Sequence, residues 1–159
     1  MNRTRKMVLA LMFAGAAGGA SAQSVNDPGY VRVRYMVDNV ANTVAFYTTR
    51  LGFKLDMQSG PYFAALSRGG VQLLLSPTKG PGGASQPMPN GDRPTPGGWN
   101  RLVIYTADLP GEVERLRKAG VHFRNDIVYG LGGNEILLED PSGNAVELFQ
   151  PTPAGAQKR

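Results

Sequence analysis

The feature that most constrains this chain is a repeat: the pattern that starts at residue 31 starts again 69 positions later, at Asn100 and Arg101. In the first copy, residues 31–37 are rich in Val and Tyr and read as a strand. Asn39 then offers an N-cap to a helix whose Val40, Val44, Tyr47 and Leu51 share one face of a 3.6-residue period. Gly52 supplies its left-handed stop. Strands follow over 53–58, 62–67 and 71–76, the last two joined by the Arg68-Gly69-Gly70 turn. In the second copy a strand over 101–107 leads to a cap at Asp108. Leu109, Val113 and Leu116 take the places of Val40, Val44 and Tyr47, and Pro110 sits in the first turn, where its missing N–H is tolerated. Gly120 stops this helix, and strands over 122–128, 134–139 and 144–149 follow, with Asp140-Pro141-Ser142-Gly143 as the last turn.

The duplication predicts an α+β fold of two tandem βαβββ modules, 30–77 and 99–151, within one domain spanning 30–151. A chain of 159 residues, 42% of them hydrophobic, can bury one core but not two large ones. The connection over 78–98 sits in a stretch, 77–99, with six Pro and six Gly, a composition that forms neither a regular helix nor a central strand. It reads either as a passive linker or as a flap over a cleft. Residues 152–159 read as a tail.

The first 22 residues have the order that export requires: basic Arg3, Arg5 and Lys6, an apolar run from Met7, and small residues at Ala20-Ser21-Ala22. This predicts a secretory signal cleaved after Ala22, a periplasmic or secreted mature protein beginning at Gln23, and no stable membrane insertion, because the apolar run is too short to span a bilayer. The three basic residues of the signal account for much of the formal charge of +5; without them 14 of the 17 Lys and Arg face 12 Asp and Glu. With no basic cluster beyond the N-terminus, nucleic acid is not an expected partner. The absence of cysteine excludes a lipidated cysteine, a disulfide framework and a thiolate metal site.

Phe46-Tyr47 within the first helix, Leu51-Gly52-Phe53 after it, and Asp140-Pro141-Ser142-Gly143-Asn144 before Val146-Glu147-Leu148 together resemble the vicinal oxygen chelate superfamily, which contains glyoxalase I, bleomycin-resistance proteins and extradiol dioxygenases. The resemblance covers residues 31–151 and implies curved mixed sheets around a cleft. In the family's enzymes that cleft holds a divalent metal, on His, Glu or Gln from the first and last strands of each module. Carried over by the repeat, the first-strand positions are Arg32 and Arg101. The last-strand positions are Leu73 and Glu147, if Pro77 and Pro151 mark equivalent strand ends. Only Glu147 could ligate a metal, since a guanidinium has no lone pair to offer and leucine has no donor atom. No metal and no other cofactor is therefore expected, and fold membership alone does not confer one.

The candidate ligand-binding residues are Arg32, Arg101, Glu147, Leu73, Trp99 and Asn125, with Glu147 the candidate catalytic residue. Alternation along the last strand turns Val146 and Leu148 to the core and Glu147 with Phe149 to the cleft, where Arg101 is expected to pair with Glu147 in place of a metal. Trp99 either stacks on a ligand or plugs the end of the barrel. Asn125, in the polar run Arg124-Asn125-Asp126, lies either on a solvated edge strand or at the cleft mouth. Tyr35 and Tyr62 read as packing residues whose hydroxyls reach the surface. His122, the one histidine, falls at no ligand position. The favoured function is metal-free binding of a small anionic organic molecule. The alternatives are a lyase or dioxygenase using Glu147 as base or residual metal ligand, and an interaction module with a filled cleft. The family forms its cleft between chains as well as within one, so the resemblance leaves a homodimer open.

Overall fold

The computed structural model describes residues 32–152, so the expected signal segment and all of the tail beyond Thr152 lie outside the described residues. The first module runs β1 (Arg32–Val37), α1 (Val40–Arg50), β2 (Lys54–Ser59), β3 (Phe63–Arg68) and β4 (Val71–Pro77). The second runs β5 (Arg101–Tyr105), α2 (Leu109–Lys118), β6 (Val128–Tyr129), β7 (Gly133–Glu139) and β8 (Ala145–Pro151). Each module forms a four-stranded mixed sheet, in the order β1-β4-β3-β2 and β5-β8-β7-β6, with the first and last strands parallel. The two-module α+β architecture read from the repeat is the one observed.

Local chemistry sets the helix ends as expected. The Asn39 side chain accepts from the Asn42 N–H and the Asp108 side chain from the Gly111 N–H, satisfying one orphan donor at each N-terminus. Gly52 and Gly120 follow the helices with φ of +67° and +76°, a region that costs a residue with a Cβ about 1–2 kcal/mol. The apolar helix faces and one face of each sheet meet in a single core. It contains Tyr35, Val37, Val44, Tyr47, Leu73 and Leu75 from the first module and Leu102, Ile104, Leu116, Ile136, Val146 and Leu148 from the second.

One expectation fails here. The strand over 122–128 is reduced to a single bridge, Phe123 to Leu138, and to the two residues of β6. Between them the Asn125 side-chain oxygen accepts from the Leu137 N–H at 2.9 Å, so an amide side chain satisfies a donor that a neighbouring strand would have taken. The Gly/Pro-rich connection, for its part, contains one short 3₁₀ turn, Gly83–Ser85. It is pinned near both ends: the Ser85 hydroxyl donates to the Pro77 carbonyl, and the Gly97 N–H donates to the Asn144 side chain.

Candidate functional site

Strand alternation gives each sheet a core face and a second face, and the ladder registers decide which residues share the second one. On the first sheet, Arg32 lies opposite Gln72 and Arg34 opposite Leu74, while Val33 and Tyr35 lie opposite Leu73 and Leu75. Leu73 and Leu75 are fully buried members of the core. The second face therefore carries Arg32, Arg34, Gln72, Leu74 and Ser76, not Leu73. On the second sheet, Arg101 lies opposite Ala145 and Val103 opposite Glu147, with Leu102, Val146 and Leu148 on the core side.

These registers correct one assignment. Arg34 and Val103 are 69 positions apart, and their ladder partners are Leu74 and Glu147, so the counterpart of Glu147 is Leu74. Matching Pro77 to Pro151 slips the pairing by one residue, and in a strand one residue is the difference between the two faces. Part of the changed spacing lies in the last turn. Arg68 pairs with Val71 across Gly69-Gly70, whereas Asp140 meets Asn144 across Pro141-Ser142-Gly143.

At the centre of the second sheet's second face, Arg101 Nε donates to Glu147 Oε2 at 2.5 Å. The Glu147 side chain is 7% exposed and that of Arg101 34%, so the carboxylate is nearly buried while the guanidinium closes it off from solvent. A carboxylate so desolvated needs such a partner, since an unpaired one costs several kcal/mol. The pairing inferred from sequence is the pairing found. The second-face neighbours Val103 and Tyr105 are about half exposed, and the Tyr105 ring packs edge-on against Phe149.

On the first sheet, Arg32 Nε donates to Gln72 Oε1 at 2.6 Å, Gln72 Nε2 donates to Asp56 Oδ2 at 3.1 Å, and the Ser67 hydroxyl donates to Asp56 Oδ1 at 2.9 Å. Arg34 donates to the Ser76 hydroxyl and lies over the Phe63 ring, 5.9 Å from its centroid. Arg34 was not singled out from sequence, although its place two residues after Arg32 puts both on one face of a strand.

Trp99 is 76% exposed and lies against the Arg124 guanidinium at 5.7 Å, so it does not plug the end of a barrel. Arg124 itself donates to Glu139 and to the carbonyls of Gly98 and Gly143, holding the end of the connection onto the second module. The Arg124 hydrogen bond is the main reason the Glu139 carboxyl lies below its ordinary range; the exposed His122 adds a second contact at 3.1 Å. Asn125 is committed to the Leu137 backbone, as described above. Two cavities, of about 510 and 310 Å³, lie between the modules and share Arg68, Ile104 and Tyr105. None of the six candidate ligand-binding residues read from sequence lines either cavity. The structure thus brings Arg101 and Glu147 together, and sets Arg32 on the face of the other sheet.

The tyrosine expectation also needs correction. Tyr62 is half exposed, but the Tyr35 hydroxyl is buried, donating to the Ala145 carbonyl and accepting from the Leu102 N–H, both at 3.0 Å. Burial pushes its pKa up to about 12. Tyr47, from α1, donates to Asp140 and is also raised, by burial first. Asp140 accepts from the backbone of Ser142 and Asn144 and from the Asn144 side chain, and burial nonetheless outweighs these donors and raises its carboxyl. Asn144 also donates to the Met36 carbonyl, and the Ser142 hydroxyl accepts from the Asp38 N–H. The Asp-Pro-Ser-Gly-Asn turn is thus the bracket by which the second module grips the end of β1.

The donor set decides whether a divalent metal of the kind the resemblance implies fits these positions. Two are guanidiniums, one is Leu74, and the single carboxylate is taken by Arg101. Among the described residues no group of three His, Asp or Glu lies together elsewhere. The residues do not fit such a metal.

Residues 29–148 match the family model described as the Glyoxalase/Bleomycin resistance protein/Dioxygenase superfamily. An uncharacterized protein of Mycolicibacterium smegmatis is 30% identical over 116 residues, 65% of this chain and 86% of that one. Among solved structures, lactoylglutathione lyase from Agrobacterium tumefaciens is 18% identical with a TM-score of 0.59, over 79% of this chain and 95% of that one. TnmS3, an antibiotic binding protein from a Streptomyces species, is 21% identical with a TM-score of 0.59, over 81% of this chain and all of its own. At these identities the structures speak for the fold alone.

Proposed function

Because the chain belongs to the Glyoxalase/Bleomycin resistance protein/Dioxygenase superfamily, and its one carboxylate at a ligand position is held by an arginine, we propose that it binds a small anionic organic molecule without a metal. The observation that carries this reading is the Arg101–Glu147 pair: a guanidinium stands where the family's chemistry needs a lone-pair donor. The fold shared with an antibiotic binding protein supports binding as an end in itself. Catalysis by Glu147 as a base is less well supported, because its Oε2 is already committed to Arg101 Nε. On the second face of the first sheet, Arg32 and Arg34 stand against the single acid Asp56, which favours a negatively charged ligand there.

The reading places the protein outside the cytoplasm, on the strength of the basic, apolar and small-residue order of its first 22 residues. Native mass spectrometry of the protein taken from its own host, fractionated by compartment, tests these parts together. The expected species begins at or near Gln23, carries an organic adduct and lacks a divalent metal. Intact Met1 in extracytoplasmic material would contradict cleavage, and protein confined to the cytoplasm would contradict export. A stoichiometric metal adduct would overturn metal-free binding.

A further inference from the structure

We infer that the ligand's acid group is received on the first sheet, by Arg34 with Arg32 beside it, and that the ligand is an aromatic carboxylate or a close analogue. The inference rests on the binding function proposed above and assigns it a place and a chemical class. Three observations lead to it.

The first is charge. Arg101 has its carboxylate partner in Glu147, whereas Arg34 takes part in none of the ion pairs among the described residues; its partner is a neutral hydroxyl, Ser76. A guanidinium held in place by a neutral acceptor keeps its charge and remaining N–H donors for an incoming anion. The second is preorganisation. Ser76 and Gln72, which position Arg34 and Arg32, are 3% and 2% exposed. The Gln72 amide is itself fixed by Asp56, which Ser67 holds in turn, so Arg32 stands on a satisfied polar relay and Arg34 on a buried hydroxyl. Such support lowers the entropy lost when a ligand is bound.

The third is the surface around the charge. Arg34 lies over the Phe63 ring, and Leu74 stands opposite it in the ladder; both are half-buried. A flat apolar body can rest on Phe63 and Leu74 while a carboxylate meets the planar fork in two parallel hydrogen bonds. The combination of a fork, an aromatic face and an aliphatic floor selects an acid carried on an unsaturated ring. The second module has no equivalent, since Val103 occupies the position of Arg34 and Glu147 that of Leu74.

The test is titration of the mature chain with benzoate and with its neutral analogue benzamide, followed by ¹H–¹⁵N NMR of the arginine Nε–Hε groups. Benzoate is expected to shift the Arg34 and Arg32 signals, and benzamide to bind at least about tenfold more weakly. Arg34→Ala should weaken benzoate about tenfold, Arg34→Lys should restore part of the loss, and Arg115→Ala, on α2, should leave the affinity unchanged. Backbone spectra of each variant verify that it is folded. Equal binding of acid and amide, or benzoate binding that survives Arg34→Ala and is lost in Arg101→Ala, would overturn the inference and leave the binding function standing. So would an absence of any shift with benzoate in a protein that carries an organic adduct from its host. No shift and no adduct together would overturn both.

Discussion

The two modules place an arginine at the same position of their first strand and give it different partners. Arg32 meets the neutral amide of Gln72 directly across the ladder, while Arg101 reaches past Ala145 to the carboxylate of Glu147. One rung further on, the first module has Arg34 and Leu74 where the second has Val103 and Glu147. The two modules keep the same strand order but not the same charges: the second face of one sheet carries Arg32 and Arg34, and that of the other carries Glu135, Glu139 and Glu147 beside Arg101. The last turns differ as much. Arg68-Gly69-Gly70-Val71 is exposed, whereas Asp140 and Asn144 are 4% and 3% exposed and bonded to the first module. The lesson is that the Asp140–Asn144 turn, which carries much of the family resemblance, is here a joint between modules.

The joint should break first. Asn144→Ala removes partners from the Met36 carbonyl, the Gly97 N–H and Asp140 together, and leaving buried polar groups unpaired in this way should cost about 3 kcal/mol. Val71→Ala, at the corresponding position of the first module, should cost less than about 1 kcal/mol, since Val71 is 39% exposed. Denaturant unfolding of both variants measures the contrast, and equal costs would mean the turn is not a joint.

The arginines should differ less, but in the same direction. Removing one partner of a fully buried ion pair costs roughly 3–5 kcal/mol. With Arg101 about a third exposed, solvent screening brings Arg101→Ala down to about 2 kcal/mol. The hydrogen bond from Arg32 to the neutral Gln72 amide contributes less, about 1 kcal/mol, so Gln72→Ala should cost about that much. The effects of Arg101→Ala and Glu147→Gln should not add in the double variant.

The smallest contrast is in pH dependence. Tyr35 and Tyr47 have Ile104 and Leu116 as counterparts in the second module, so only the first sends a titrating hydroxyl across the joint. With a folded pKa raised from 10.0 to about 12, Tyr35 contributes stability that is complete below pH 10 and is lost as pH rises toward 12. Unfolding midpoints should therefore fall above pH 10. Tyr35→Phe should start less stable at neutral pH and decline less steeply.

Much of this was legible in the sequence, for reasons that differ by residue. Asn39, Asp108, Gly52 and Gly120 act through local backbone rules and could be read directly. The Arg101–Glu147 pair followed from alternation and the cost of a desolvated carboxylate. Leu73 was misplaced because nothing local distinguishes it from Leu74, and the registers of two separate ladders are needed to choose. Asn125 was obscure because a side chain imitating a strand leaves no periodic signal. Arg34 is legible from its two-residue spacing to Arg32, but it falls at none of the ligand positions the resemblance implies. The tyrosine hydroxyls bridge residues 67 and 93 positions apart, beyond any local pattern.

The central claim is that an arginine has taken the place of a metal at the one remaining ligand position. Calorimetric titration of the mature protein with Zn²⁺, Ni²⁺ and Fe²⁺, alongside Glu147→Gln, tests it most directly. No micromolar binding by either protein is expected. Micromolar binding of any of these ions by the unmutated chain, abolished in Glu147→Gln, would contradict it.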